Sequence, residues 1–162
     1  MVEMELVGVR VELPTNAPIV LLREKAGERR LLPIFIGAPE ATAIAFALED
    51  VDTPRPMTHD LMKDVLDDLG ATVEQVVVTA LKDATFYAEL HLSAPGGTHQ
   101  VSSRPSDAIA LAARTGSPIF AAETVLDEAA YAVSEEDEEE EQEVVEQFKE
   151  FIDNVNPEDF AS

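Results

Sequence analysis

The stretch VSSRPSDAIALAAR, residues 101–114, joins two kinds of secondary structure within a few residues. Its first residues end an alternating run that is typical of a strand, and its last residues form an Ala- and Leu-rich run that is typical of a helix. Pro105 suits the first turn of that helix, because the N–H it lacks would have no partner there. A strand that leads directly into a helix favours a fold that mixes both elements.

The pattern on either side of this stretch extends the same architecture. Residues 4–13 alternate, a strand–turn–strand pattern follows around Gly27, and β-branched and aromatic runs flank KDA at 82–84. These runs predict about seven strands in a largely antiparallel, mixed sheet. The predicted helices are 38–50, 58–69, 105–116 and a short one before residue 131. We therefore expect a single α+β domain over residues 1–131, with three or four helices packed on the sheet.

The helix 58–69 has its own start and stop signals. Thr58 is predicted to be its N-cap, and Gly70 ends it. Five apolar side chains are expected to share one face of this helix: Leu61, Met62, Val65, Leu66 and Leu69. The opposite face of this helix is acidic.

The composition excludes several classes of site. None of the 162 residues is a cysteine, so disulfides, zinc knuckles and thiol nucleophiles are excluded. The N-terminus MVEMELVGVRVEL has acidic residues where a signal peptide carries basic ones, and no apolar run reaches the ~20 residues that cross a bilayer. We expect a cytoplasmic protein without a membrane segment.

The charge is concentrated at the C-terminal end. The net charge is -22, and residues 132–162 hold 13 of the 33 acidic residues but a single base, Lys149. A chain this acidic should bind nucleic acid weakly, because Lys and Arg contacts to phosphate provide most of that affinity. Residues 132–142 are predicted to be an acidic disordered linker. Residues 143–162 are predicted to form an amphipathic helix and tail, which docks on the chain itself or on a protein partner.

The opening stretch contains one candidate site. At the start of the helix, Asp107 can accept hydrogen bonds from exposed backbone N–H groups while Arg104 lies across it as an ion pair. This structural role explains both residues. A helix start beside Arg104 and Ser106 can also bind an anion, and Asp107 can instead bind Mg²⁺.

A second candidate site lies at the start of the helix 58–69. His59 and Asp60 are adjacent in its first turn, behind Arg55 and Pro56. A neutral histidine can act as a base or as a metal ligand, and Asp60 can orient it or hold the metal itself. The alternative is again structural, since an acidic residue is common in the first turn of a helix.

Five motifs in the order LPIFIG, EATAIAFAL, RPMTHDLMKDVLDDLG, TFYAELHL and RPSDAIALAARTGSPIF resemble the bifunctional nuclease domain family. The resemblance spans residues 4–131, and the tail ending FKEFIDNVNPEDF is similar to those of actinobacterial members. It implies DNase and RNase activity. The matching motif residues are Arg55, His59, Asp60, Arg104, Ser106 and Asp107.

Roles for these residues follow from metal-dependent nuclease chemistry. Asp60 and Asp107 are expected to hold Mg²⁺ or Mn²⁺, and His59 to act as the base. Arg55 and Arg104 are expected to clamp the phosphate.

Three functional hypotheses stay open at this point. The first is a metal-dependent nuclease with weak affinity for nucleic acid. The second is a non-catalytic regulatory or assembly module that acts through protein–protein contacts, and the third is a small-anion binder. A homo-oligomer, with a dimer favoured, is also expected, because the helix 38–50 is apolar throughout and the strand 4–13 could pair at an edge.

Overall fold

A computed structural model of the chain describes residues 1–134, which form seven strands and four helices. The strands are β1 (Val2–Glu12), β2 (Ala17–Glu24), β3 (Leu31–Phe35), β4 (Thr72–Lys82), β5 (Thr85–Ala94), β6 (Gly97–Ser103) and β7 (Ile119–Ala121). The helices are α1 (Ala38–Leu48), α2 (Thr58–Asp68), α3 (Pro105–Thr115) and α4 (Glu123–Ala129). None of these four helices is long and apolar enough to cross a bilayer. The amphipathic helix predicted at 143–162, and most of the predicted linker, lie outside the described residues.

The strands form one mixed sheet in the order β3-β2-β1-β7-β4-β5-β6. All neighbours are antiparallel except β4 and β7, which run parallel. The short strand β7 therefore joins two antiparallel halves, one made of β1–β3 and the other of β4–β6. The predicted α+β domain with a largely antiparallel, mixed sheet is confirmed.

Helix α3 forms the centre of the core. Every residue from 108 to 112 is buried, and Ile109 and Leu111 are completely inaccessible to solvent. The helix begins at Pro105 and ends at Thr115, and the next residue, Gly116, has a φ of 71°, the left-handed conformation that glycine adopts without strain. It packs against α1 and α2 on one side and against β4 and β5 on the other. Its first turn is therefore held at a fixed place between the helices and the sheet.

Burial of α3 predicts a large loss of stability when a side chain is shortened there. Leu111→Ala is expected to lower the free energy of unfolding by about 3 kcal/mol, because it leaves a cavity that the neighbouring elements cannot fill. Urea denaturation measures the difference. Leu13→Ala is the matched control: Leu13 is 81% exposed, and a change below about 0.5 kcal/mol is expected there. Equal losses at both positions would contradict this description of the core.

Helix α2 departs from its prediction at its N-cap. Met57, not Thr58, is the N-cap, because its backbone N donates to Asp60 Oδ2 (3.0 Å) and closes the first turn one residue earlier. The predicted apolar face is only partly packed. Met62 and Leu66 contact the core, whereas the remaining apolar side chains of that face are exposed.

Two observations change the argument for a homo-oligomer. The apolar helix α1 packs against α3, β1 and β2 within the same chain, so its burial needs no second subunit. Strand β1 was expected to be able to pair at an edge, but it lies inside the sheet between β2 and β7. In both cases a segment distant in the sequence is the partner: α3 packs on α1, and β7 pairs with β1.

Candidate active site

The candidate site lies where α2 and α3 begin. Helix α2 provides His59 and Asp60 from its first turn, and α3 provides Asp107, with Arg104 as its N-cap residue. The two helices pack against each other. Side chains that are distant in the sequence are thereby brought into contact at one end of the helix layer.

A hydrogen bond between His59 and Asp107 is the centre of the site. His59 Nε2 lies 2.9 Å from Asp107 Oδ1, and His59 is only 7% exposed. Because a carboxylate accepts hydrogen bonds, Nε2 is the donor, and in the neutral form of the ring the lone pair is then on Nδ1. Within residues 1–134 the Nδ1 atom has no hydrogen-bond partner. This is the arrangement in which a carboxylate orients a histidine that can accept a proton.

Arg104 links the pair to helix α1. Its Nε donates to Asp107 Oδ2 and its terminal NH2 to Glu40 Oε1, both at 2.9 Å. The hydrogen bonds to Glu40 and Asp107 hold the pKa of Arg104 above its ordinary value. The side chain is nevertheless 64% exposed. A permanently charged guanidinium is thus fixed at the surface beside the His59–Asp107 pair.

Asp60 forms a separate ion pair with Arg114. The guanidinium donates from Nε to Asp60 Oδ1 (2.6 Å), and its other nitrogens donate to the carbonyls of Ala110 and Ala43. Partial burial opposes ionisation of Asp60, but the hydrogen bonds from Arg114 and the Met57 backbone outweigh it and hold the pKa of Asp60 below its ordinary value. This pair ties the start of α2 to α1 and α3.

The Asp60–Arg114 pair predicts a pH-dependent loss of stability. Asp60→Asn is expected to lower the free energy of unfolding by about 2 kcal/mol, because Arg114 stays buried without its partner, while the 37% exposure of Asp60 reduces the effect. A lowered pKa stabilises the fold above the unfolded value, near ~3.9, and that contribution is lost as the pH falls through the folded value. The difference between the two proteins should therefore shrink below about pH 4. Urea denaturation at several pH values measures it, and a constant difference would contradict this role.

A cavity of about 340 Å³ opens between α1, α2 and α3. The ionisable side chains that line it are those of Glu40, His59, Arg104, Asp107 and Arg114. Uncharged groups of α1, including Phe46, and Met57 and Thr58 at the start of α2 form the rest of the wall. The cavity is therefore large enough for a small polar group and presents a histidine and two guanidinium groups to it.

The structure brings together only part of the predicted set. His59, Arg104 and Asp107 line this cavity, whereas Arg55 is exposed outside it. Ser106 lines a second cavity of about 360 Å³ that Arg104 also borders. The prediction that Asp107 accepts a hydrogen bond from a backbone N–H at the helix start is wrong. The two carboxylate oxygens of Asp107 accept from His59 and Arg104 instead. The expected Arg104–Asp107 ion pair is confirmed.

Sequence reasoning missed Glu40 and Arg114. Glu40 is acidic at the third position of α1, which the helix dipole explains without any further partner. Arg114 follows Asp60 by 54 residues and lies in the last turn of α3, where a basic residue is again common. Neither residue has a local signal that separates its role from ordinary helix-end chemistry.

The donor set at this site does not fit a dedicated divalent cation. Within residues 1–134 there is no group of three or more His, Asp or Glu side chains placed to hold a metal ion. Both expected ligands are engaged elsewhere, since Asp60 pairs with Arg114 and Asp107 with His59 and Arg104. Magnesium and manganese prefer several oxygen ligands. Dependence on Mg²⁺ or Mn²⁺ stays a prediction.

Comparisons with known proteins find relatives of the part of the chain that holds this site. The model of the bifunctional nuclease domain matches residues 20–134. The uncharacterized protein Rv1829 of Mycobacterium tuberculosis is 45% identical over 165 residues, which cover 99% of this chain and 98% of that protein. Bifunctional nuclease 2 of Arabidopsis thaliana is 35% identical over 112 residues, 66% of this chain, and bifunctional nuclease 1 of the same plant is 33% identical over the same share. The match covers 34% of each plant protein.

Proposed function

Because this chain belongs to the bifunctional nuclease domain family, we propose that it hydrolyses phosphodiester bonds in DNA and RNA at the cavity where α2 and α3 begin. The observation that carries the proposal is the 2.9 Å hydrogen bond from His59 to Asp107 at the wall of that cavity. It orients a histidine whose second nitrogen has a lone pair. The names of the two plant relatives support the choice of reaction.

In the proposed reaction, Asp107 fixes the ring of His59 and stabilises it once it is protonated. His59 Nδ1 takes a proton from a water molecule as the water oxygen attacks phosphorus, and the leaving oxygen departs with the electron pair of its bond to phosphorus and is protonated by solvent. Arg104 stabilises the charge that develops on the phosphate, because its guanidinium is exposed beside the histidine. Asp60 and Arg114 are positioning residues, which hold the start of α2 against α3.

The affinity for substrate is expected to be low. The net charge is -22, and the cavity holds three acidic or histidine side chains beside its two arginines. A polyanion gains little from such a surface and its binding should weaken further with salt. Arg55, which lies outside the cavity, stays a predicted second phosphate contact.

A second candidate function is a non-catalytic regulatory or assembly module. The observation that favours it is the exposed apolar face of α2, which is typical of a surface that binds another protein. The pairing of every carboxylate in the cavity with a basic side chain is also what a purely structural cluster would show. The two functions differ in whether purified protein cleaves nucleic acid.

The test uses the full chain on single-stranded DNA and RNA with Mn²⁺, with Mg²⁺ and with EDTA. A His59→Ala, Asp107→Ala double variant, purified identically, is the control for contaminating nucleases. Cleavage by the wild type alone supports the proposal, and cleavage that persists in EDTA supports metal-free chemistry. Cleavage that requires Mn²⁺ supports the predicted dependence on a metal ion, without identifying its ligands. Equal cleavage by both proteins, or none by either, contradicts the proposal.

A further inference from the structure

Helix α2 exposes an apolar row next to the edge of the sheet. Leu61, Val65 and Leu69 follow one another at four-residue intervals and are 53%, 47% and 66% exposed. Leu61 and Val65 line a cavity of about 390 Å³ together with Leu90 of β5 and Val101 of β6. The cavity wall is almost entirely apolar, and such a contiguous patch indicates a binding surface.

Strand β6 beside this row is the last strand of the sheet. Within the described part of the chain, β5 is its only neighbour, so one side of its backbone has no partner strand. Its sequence GTHQVSS contains no proline, no lysine and no acidic residue, and its register with β5 has no bulge. Proline, charged side chains and bulges are features that natural proteins use to protect an edge strand from pairing. Strand β6 lacks all of them.

The opposite edge of the sheet is protected. Strand β3 contains Pro33, which has no N–H to donate, and its outer side is bridged at Leu31 by Tyr131. Two hydrogen bonds of 2.9 Å join Leu31 and Tyr131. Within residues 1–134, therefore, pairing is blocked at β3 and open at β6.

We propose that a second copy of this chain binds at β6, with the two β6 strands pairing antiparallel across a twofold axis and the two α2 rows packing together. A second copy is favoured as the occupant because two identical edge strands can satisfy each other's unpaired backbone N–H and C=O groups. Strand β6 carries no acidic side chain, so pairing of the two strands brings no negative charges together, whereas α2, which carries four aspartates, brings negative charge to the contact. An isologous contact of this kind closes as a dimer.

The contact would lie beside the candidate active site. Thr58, the residue before His59, lines both the apolar cavity and the cavity that holds the His59–Asp107 pair. A second copy on α2 therefore forms part of the surroundings of the site without contributing to the hydrogen bonds within it. The inference does not rest on the proposed nuclease activity, because it concerns the backbone edge and the apolar row alone.

The first test measures the mass of the full chain in solution by size-exclusion chromatography with light scattering. The wild type is expected to be a dimer at micromolar concentration. Val65→Glu and Val101→Lys are expected to shift it to the monomer while circular dichroism and thermal melting show that both variants fold. Phe35→Glu, at the end of β3, is the matched control: Phe35 is as exposed as Leu69, and this variant should stay dimeric.

A second test exploits the absence of cysteine from the chain. Gln100 is the middle residue of β6, so antiparallel pairing about a twofold axis brings the two copies of it close together. Gln100→Cys is expected to give a disulfide-linked dimer under mild oxidation, whereas Tyr87→Cys, exposed on β5, should not.

Three results would overturn the proposal. A monomeric wild type would show that α2 and β6 are left bare or are covered by residues 143–155 of the same chain. A dimer that survives both Val65→Glu and Val101→Lys would place the contact elsewhere. Equal crosslinking of Gln100→Cys and Tyr87→Cys would show that collisions, not a specific contact, join the chains.

Discussion

Arg30→Met is expected to lower the free energy of unfolding by about 3–5 kcal/mol, because it leaves a buried carboxylate without its partner. Glu24 in β2 is only 4% exposed and accepts hydrogen bonds from the backbone N (2.7 Å) and the guanidinium (2.8 Å) of Arg30. The same guanidinium reaches Glu123 and Asp127 of α4. Urea denaturation measures the loss.

The pH dependence of this stability loss is expected to identify the unpaired Glu24 carboxylate as its cause. The hydrogen bond from Arg30 holds the pKa of Glu24 below its ordinary value against the opposing effect of burial. In the wild type this contribution is present above the unfolded pKa, near ~4.3, and is lost as the pH falls through the folded value. Without Arg30, burial raises the folded pKa, so stability is instead lost as the pH rises through about 4.3.

The difference in unfolding free energy between wild type and Arg30→Met should therefore narrow as the pH falls from about 7 to about 4. An Arg30→Met, Glu24→Leu double variant removes both charges and should recover most of the loss. A difference that does not depend on pH, or a double variant as unstable as the single one, would contradict this role for the pair.

His59→Gln is expected to slow cleavage of single-stranded RNA and DNA by a factor of about 10²–10⁴, the usual contribution of a general base. Glutamine can still hydrogen-bond to Asp107 but cannot take a proton from water. The measurement is the turnover rate at saturating substrate, with thermal melting to show that the variant is folded.

His91→Gln is the matched control for this prediction. His91 lies in β5, hydrogen-bonded to Glu89 and Gln75 and outside the candidate cavity. Its replacement should leave the turnover rate unchanged. Equal losses in both variants would assign the effect to general damage rather than to the proposed base.

The sequence predicts most of the local structure of this fold but not how its parts meet. Pro105 and Gly116 mark the ends of α3, and the KDA segment marks the turn between β4 and β5, where Asp83 and Ala84 adopt positive φ. These are local signals. The place of β7 between β1 and β4 depends on pairings with segments more than 40 residues away, and its three residues carry no pattern that specifies them.

For the candidate site too, the sequence predicts the local elements but not the contacts between them. The two helix starts that hold it are visible in the sequence, and both His59 and Asp107 are found there. The hydrogen bond between them is not, because Asp60, the nearer carboxylate along the chain, could orient His59 as well. The packing of α2 against α3 determines the partners: His59 hydrogen-bonds to Asp107, and Asp60 hydrogen-bonds to Arg114.

The most direct measurement of how His59 and Asp107 act together is a double-mutant cycle on cleavage of single-stranded RNA by wild type, His59→Gln, Asp107→Asn and the double variant. If Asp107 acts by orienting His59, the two residues work as one unit, and the double variant should be no slower than His59→Gln alone. Four proteins that cleave at the same rate, or two losses that multiply in the double variant, would contradict the account.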